Sequence, residues 1–223
     1  GGDITAGTLA SLIWDKDEMS LFIDLGTNGE LVFGNRDFLM SCACSAGPAF
    51  EGGDISCGMR ATDGAVEAVT IDKGTMEPTL SIIGDEGQKC VGICGSGIID
   101  LLAQMRLNGW INMAGHLNPD ASDRIVYLQD ENQYAAVYAT AEESETGDPL
   151  YFTQTDIDQY LDTKAAAFTM IECILDSAGI TEKQVDKCYL SGAFPAHSDL
   201  EAAITIGIFP DLPREKYHMI ANT

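Results

Sequence analysis

The segment LFIDLGTNGE, residues 21–30, constrains this chain more than any other part of its sequence. An apolar run ends in Asp24, and small residues follow before the next apolar run begins at Leu31. Asn28-Gly29 predicts a tight hairpin with positive φ at the turn. Uncovered N–H groups in such a turn can converge on phosphate oxygens, and an aspartate at the end of the strand can orient a hydrated Mg²⁺. The alternative interpretation is a plain hairpin with an exposed aspartate.

Hydrophobic periodicity in the rest of the chain predicts an α/β protein. Glycine-rich breaks separate the predicted elements, and a Thr-x-x-Asp pattern at 153–156 predicts the start of a long helix that ends at Gly179. The predicted strands are residues 21–24, 31–33, 38–45, 65–71, 78–84, 124–128, 134–139, 187–190 and 218–223. The predicted helices lie within residues 1–14, 95–107, 156–178 and 200–206.

The chain has 223 residues, of which 45% are hydrophobic, enough for one large domain or two small lobes. It begins without Met and stops within a strand-like run, so we expect it to be a piece of a longer protein. Residues 112–154 are polar and acidic, apart from two strand-like runs. This composition predicts an acidic surface hairpin or insertion over that region.

The formal net charge of −23 argues against binding to nucleic acids or to anionic membranes, because both need basic residues to neutralise phosphate. The sequence contains no apolar run long enough to span a membrane and no secretory signal. Its seven cysteines lack the paired spacing of a disulfide framework, which predicts a cytoplasmic protein. They also lack the spacing of a zinc site or of a ferredoxin cluster.

Other segments carry weaker signals. SGAF, residues 191–194, follows a predicted strand, and its small residues would let a base and ribose approach the backbone; a plain loop is the alternative. CGSG, residues 94–97, opens a helix that could hold an anion or simply be tightly packed. Glu51 and Asp54 could position water or a metal ion, or be solvated loop acids. Lys164 either extends to solvent or meets a nucleotide.

Taken in order, several segments resemble the reductive activators of corrinoid proteins, a branch of the actin, sugar kinase and heat-shock-chaperone ATPase superfamily. These segments are GGDITAG, FIDLGTNGEL, CSAGPAFEGGDISCGMRA, GICGSGIIDLLAQM and LSGAF followed by IGIFPD. The resemblance spans most of the chain except residues 112–154. It implies a ribonuclease-H-like (actin-like ATPase) domain, with a mixed sheet flanked by helices, over residues 1–223. Proteins of this kind carry an N-terminal [2Fe-2S] ferredoxin module, so this chain would be the C-terminal half.

The resemblance also implies roles for individual residues. Asp24 would be the catalytic residue and would hold Mg²⁺. The second phosphate loop would consist of Gly26, Thr27, Asn28 and Gly29. The adenosine loop would consist of Ser191, Gly192, Ala193 and Phe194. The sequence departs from the family pattern in this loop, because Ala193 stands where a second glycine is usual and Pro195 follows Phe194.

The implied function is the use of ATP to drive an electron onto a Co(II) corrinoid, giving the Co(I) state that accepts a methyl group. The implied partners are a corrinoid protein and its methyltransferase, together with a possible second copy of the chain. Since the first phosphate loop and the ferredoxin are absent, we expect the chain alone not to turn over ATP. Two alternatives stay open: a small-molecule kinase with Glu51 or Asp54 as base, and a non-catalytic docking module for a corrinoid protein or methyltransferase.

Overall fold

The computed structural model describes residues 2–192 and 200–220. The helices are α1 (Gly2–Ser11), α2 (Gly95–Leu107), α3 (Gln154–Ala178) and α4 (Leu200–Thr205). The strands are β1 (Ser20–Leu25), β2 (Gly29–Gly34), β3 (Leu39–Cys44), β4 (Ala65–Ile71), β5 (Pro78–Ile82), β6 (Gly92–Ile93), β7 (Ile125–Leu128), β8 (Gln133–Ala139), β9 (Leu150–Thr153), β10 (Lys187–Ser191) and β11 (Tyr217–Met219). The chain forms two compact units: Gly1–Gly47 with Thr163–His197 and Gly207–Thr223, and Pro48–Asp162 with Ser198–Ile206.

The first unit is built on a five-stranded mixed sheet in the order β11-β10-β1-β2-β3. Strand β1 pairs in parallel with β10 and antiparallel with β2, so it lies at the centre of the sheet. Its apolar residues Leu21, Phe22 and Ile23 are fully buried. Paired residues on neighbouring strands share a face. With one parallel and one antiparallel pairing, the mixed sheet that the family resemblance implies is confirmed in this unit.

Helices cover both faces of this sheet. On one face, Phe22 and Val32 form a core cluster with Tyr189 and Ile13, and Ile4 of α1 packs against it. On the other face, α3 approaches β3, because the Cys42 thiol lies 3.8 Å from the Met170 carbonyl oxygen. Cys42 is paired with Leu31, whose side chain alternates with that of Val32. The two helices thus sandwich β1 and β2.

The second unit holds two three-stranded sheets, β5-β4-β6 and β7-β8-β9. Helix α2 packs along β4, and its side chains supply acceptors to the β4 backbone. Gln104 Oε1 accepts a hydrogen bond from the Ile71 N–H at 3.1 Å, and Asp100 Oδ2 accepts one from the Val69 N–H at 3.4 Å. Helix α4 lies against α2 in the same unit. Within the part of the chain that the structure describes, no helix has the length and apolar content to cross a lipid bilayer.

Most predicted elements are present, and β4 and α2 have the predicted bounds. The sequence did not predict β6, which is only two residues long, or β9, which immediately precedes α3. Both strands predicted within residues 112–154 are confirmed, and β9 completes their sheet. This region also contributes to the core of the second unit, because Tyr138 and Ser144 are fully buried.

The packing of α1 onto β1 depends on Gly7. A β-carbon at this position would lie 2.1 Å from the tip of the buried Phe22 ring, closer than any real contact. We predict that Gly7→Ala destabilises the protein by about 1–3 kcal/mol, because the overpacking outweighs the gain in helix propensity. Gly2→Ala is the control, since a β-carbon there has nothing within 4 Å. Urea denaturation of both variants checks the prediction, and equal stabilities would contradict it.

Candidate functional site

A row of polar side chains crosses three strands of the first unit near the carboxyl end of β1. Asp24 is paired with Ser191 of β10 on one side and with Glu30 of β2 on the other. Because paired residues project to one face of a sheet, the three side chains lie on the face that α1 covers. On each strand, this polar residue lies two positions from a residue of the apolar row Tyr189, Phe22 and Val32, on the same face and nearer the carboxyl end of β1.

The loop after β1 differs from the predicted turn. The predicted hairpin is confirmed, because β1 and β2 pair antiparallel across a three-residue connection, 26–28. The positive φ predicted for its turn is wrong, because neither Asn28 nor Gly29 has one. The loop is held from within and from outside: the Gly26 N–H donates to the Asn28 carbonyl at 3.1 Å, and the Gly47 N–H donates to the Thr27 carbonyl at 3.0 Å. A glycine at position 29 is needed because of its size, not because of its backbone conformation. A β-carbon there would lie 2.8 Å from Cys44 Sγ, which is too close.

Gly192 brings the start of the SGAF segment against Asp24. Its φ is +102°, a conformation that favours glycine. A β-carbon at this position would lie 2.7 Å from the Leu25 carbonyl oxygen and 2.8 Å from Asp24 Oδ1. The two loops that the sequence singled out therefore meet at Gly192 and Asp24. Ala193 and Phe194 lie outside the described residues.

The carboxyl end of β1 holds two polar side chains, Ser191 and Asp24, that are removed from solvent. The Ser191 side chain is 1% exposed, and its hydroxyl has no hydrogen-bond partner among the described residues. Burial raises the pKa of the half-buried Asp24 carboxyl above its ordinary value, and the carboxylates of Asp3 and Glu30 raise it further. A buried hydroxyl without a partner and a crowded carboxylate are both costly unless another group satisfies them.

These features fit a nucleotide phosphate with a hydrated cation. The Ser191 hydroxyl offers a hydrogen bond, and the missing side chain of Gly192 lets its backbone pack directly against Asp24. Across residues 2–192 and 200–220, no three His, Cys, Asp or Glu side chains are grouped to hold a metal ion by themselves. Mg²⁺ at nucleotide sites is usually held by one or two carboxylates together with water and substrate phosphates.

The remaining sequence candidates lie elsewhere. Glu51 and Asp54 belong to the second unit, where both are exposed. The Lys164 ammonium group lies beside the backbone of Gly207, 3.2 Å from where a β-carbon would be. The start of α2 is tightly packed, because a β-carbon at Gly95 would lie 2.0 Å from the Phe50 carbonyl oxygen. Packing against backbone therefore explains this glycine without a bound anion.

Sequence reasoning missed two acidic residues. Asp3, in the first turn of α1, is one of the carboxylates that raise the pKa of Asp24. Asp156 is 3% exposed and anchors a loop in the second unit, where its Oδ1 accepts hydrogen bonds from the N–H and the hydroxyl of Ser56 at 2.9 and 3.0 Å. The Thr-x-x-Asp pattern did predict its other role, since the Thr153 N–H donates to Asp156 Oδ2 and the Asp156 N–H to Thr153 Oγ1.

The raised pKa of Asp24 predicts an effect of pH on stability. Because the folded state binds this proton more tightly than the unfolded state, Asp24 lowers the free energy of unfolding as pH rises through the interval between its two pKa values. We expect Asp24→Asn to raise the free energy of unfolding at neutral pH, without added nucleotide or divalent cation. This gain should shrink as pH falls below the ordinary pKa of aspartate. Urea denaturation across pH checks this; a loss of stability at neutral pH would contradict it.

Comparisons with known proteins agree with this geometry. Residues 18–223 match the family described as the C-terminal domain of RACo, the ASKHA domain. The corrinoid activation enzyme RamQ of Eubacterium limosum is 34% identical over 231 residues, covering 100% of this chain and 38% of the relative. The [Co(II) methylated amine-specific corrinoid protein] reductase of Methanosarcina barkeri is 25% identical over 228 residues, covering 94% of this chain and 38% of the relative.

A solved structure, titled reductive activator for corrinoid, iron-sulfur protein, superposes with a TM-score of 0.90 at 40% identity. The match covers 100% of this chain and 35% of the solved chain, so this chain spans less than half the length of these relatives. The α/β, actin-like ATPase fold predicted from the sequence is confirmed by the family match and the superposition. The chain belongs to the family of the C-terminal ASKHA domain of RACo.

Proposed function

We propose that this chain is the nucleotide-binding C-terminal part of an ATP-dependent activator that returns Co(II) corrinoid proteins to the Co(I) state. The observation that carries the proposal is the meeting of Asp24, Ser191 and Gly192 at the ends of two paired parallel strands. Relatives named for corrinoid activation and for reduction of a Co(II) corrinoid protein supply the reaction.

The residues of the chain take the following parts. Asp24, at the end of β1, orients a hydrated Mg²⁺, and Gly26, Thr27, Asn28 and Gly29 form the phosphate loop. Ser191 donates its buried hydroxyl to the phosphate, and Gly192, which has no side chain, lets the SGAF segment pack against Asp24. Ala193 and Phe194 continue the adenosine loop. ATP, once bound with Mg²⁺, supplies the free energy that makes the uphill reduction possible.

The activator needs an electron donor and partner proteins. The electron comes from a [2Fe-2S] cluster in an N-terminal module of the longer protein. The partners are a corrinoid protein and its methyltransferase in the cytoplasm, and the activator works as a homodimer. Coupling requires that nucleotide binding or hydrolysis changes the conformation of the activator, since a ligand shifts an equilibrium only by its differential affinity for the two states.

The test uses the intact protein, a corrinoid protein in the Co(II) state and a low-potential reductant under anaerobic conditions. The visible spectrum of the corrinoid follows the conversion of Co(II) to Co(I), with Mg²⁺ and ATP, with Mg²⁺ and ADP, or without nucleotide. We expect Co(I) to accumulate only with ATP. Equal accumulation without nucleotide would overturn ATP dependence, and transfer of the ATP phosphate to a small acceptor would indicate a kinase instead.

A further inference from the structure

We propose that Cys42 of β3 and Cys173 of α3 form a reversible thiol–disulfide site, which a small disulfide such as oxidised glutathione converts to a cross-link within one chain. All seven cysteines are free thiols in the structure, so it describes the reduced form. Both residues belong to the first unit. The inference does not depend on the proposed function, because neither nucleotide nor corrinoid takes part in the exchange.

The Cys42 thiol lies against the segment of α3 that carries Cys173. Its sulfur is 3.8 Å from the Met170 carbonyl oxygen. In an α-helix a carbonyl oxygen points along the axis toward the N–H four residues later, so the Met170 oxygen is directed at the turn that holds Cys173 and Ile174. Cys42 Sγ therefore lies beside the turn of α3 from which the Cys173 side chain projects.

Strand β3 carries a second thiol on the same face, but that thiol is directed elsewhere. Cys42 and Cys44 are two residues apart, so their side chains share a face of the strand. Cys44 Sγ receives a hydrogen bond from the Gly29 N–H and is thus turned toward β2. Burial raises the pKa of the Cys42 thiol, and the charges of Cys44 and Cys173 raise it further, which agrees with Cys173 as a close neighbour of Cys42.

Exposure assigns the first chemical step to Cys173, which is exposed, whereas Cys42 is half-buried. The Cys173 thiolate attacks one sulfur of oxidised glutathione, which forms a mixed disulfide and releases one glutathione thiolate. Cys42 loses its proton to the released thiolate and attacks Cys173 Sγ, which breaks the mixed disulfide and releases the second glutathione. Two protein thiols thus lose two electrons and two protons, and one small disulfide is reduced to two thiols.

The other cysteines are less suited to this exchange. Cys90, Cys94 and Cys188 are buried, so a reagent of the size of glutathione does not reach them. The charge of Cys57 acts on Cys90, but burial raises the pKa of Cys90 to about 11, which leaves little of the reactive thiolate. In a reducing compartment a disulfide is usually transient, and an accessible pair on an edge strand fits that use.

A packing role alone makes a different prediction for the same two residues. A free cysteine in a core behaves as a small apolar side chain, and its reactivity is then incidental. If Cys42 and Cys173 only fill space, oxidised glutathione would leave Cys173 as a mixed disulfide and Cys42 as a free thiol. The final state of Cys173 therefore separates the two roles.

The experiment exposes the intact protein, without oxygen, to glutathione buffers that range from fully reduced to fully oxidised. N-ethylmaleimide blocks the remaining thiols, and mass spectrometry of proteolytic peptides identifies each linked pair. We expect a disulfide between Cys42 and Cys173, with the loss of both free thiols and full reversal by dithiothreitol. A mixture of isotope-labelled and unlabelled protein should give no link between the two, because the cross-link lies within one chain.

Three single variants assign the roles of the thiols. Cys42→Ser should leave Cys173 as a mixed disulfide with glutathione, because the thiol that resolves it is missing. Cys173→Ser should leave Cys42 as a free thiol, because the accessible thiol is missing. Cys44→Ser is the matched control on the same strand, and it should form the cross-link to the same extent as the wild type.

The wild-type protein alone is sufficient to overturn the proposal, so a folding defect in a variant does not decide it. A mixed disulfide of Cys173 that persists in the wild type would contradict the proposal. A link from Cys173 to Cys44 or to a second chain would also contradict it. The proposed function stands in each of these cases, because the formation of Co(I) is measured separately.

Discussion

Asp24→Asn in the intact protein is expected to lower ATP turnover about 100-fold without unfolding the domain. The Asp24 carboxylate is the half-buried charge at the end of β1, beside Ser191 and Gly192. Asparagine keeps the shape of the side chain but removes the charge that orients a hydrated cation. Loss of a group that acts on a metal through its water molecules typically costs about 10- to 100-fold in affinity or activity, and the larger value applies where this carboxylate is the principal anchor.

The measurement is the steady-state release of phosphate from ATP at saturating Mg²⁺. Asp176→Asn is the matched control, because it removes one negative charge from an exposed position in the same unit. Thermal unfolding of each variant establishes that the comparison is between folded proteins. If a folded Asp24→Asn variant turns over ATP at the wild-type rate, Asp24 cannot be the catalytic residue.

The expected stability of Asp24→Asn distinguishes a loss of catalysis from a loss of folded protein. Burial and the carboxylates of Asp3 and Glu30 raise the pKa of Asp24, so its charge opposes folding at neutral pH. Removing the charge should therefore stabilise the protein while it lowers ATP turnover. A folding defect would have the opposite sign in the unfolding experiment.

Local sequence patterns were sufficient for most of the elements. The alternation in residues 65–71 predicted β4, and the change to helical periodicity after Cys94 predicted α2 with the observed bounds. The two-residue strand β6 is too short for any periodicity, and β9 merges into the capping pattern of α3. The hairpin after Asp24 was predicted, but its positive φ was wrong, because the Gly29 position is set by contact with Cys44, which a local pattern does not report.

The candidate site required information about distant contacts. The motif predicted Asp24, but the register that places Ser191 beside it joins two strands far apart in the chain. Asp3 lies near this site because Gly7 lets α1 rest on Phe22, and no periodicity near Asp3 reports that packing. Parallel pairing and helix placement are therefore the parts of the site that the sequence could not supply.

Gly192→Val is expected to weaken nucleotide binding about tenfold or more and to lower the stability of the protein by about 1–3 kcal/mol. A side chain at this position meets the Leu25 carbonyl oxygen and the Asp24 carboxylate, so one of them must move. Backbone is the harder of the two to displace, and the Asp24 carboxylate would therefore be pushed from the position in which it orients the cation. The expected loss of affinity follows from that displacement.

Part of the stability loss comes from conformation alone, because φ is +102° at Gly192. Gly179→Val separates the two effects, since Gly179 has a φ of +69° at the end of α3 and a β-carbon there has nothing within 4 Å. Strain of this kind costs about 1–2 kcal/mol. Calorimetric titration with Mg²⁺ and a non-hydrolysable ATP analogue, at a temperature where both variants are folded, should show reduced affinity for Gly192→Val only. Equal affinities would place the nucleotide away from Gly192, because only the side chain of Gly192→Val meets the Leu25 carbonyl oxygen and the Asp24 carboxylate.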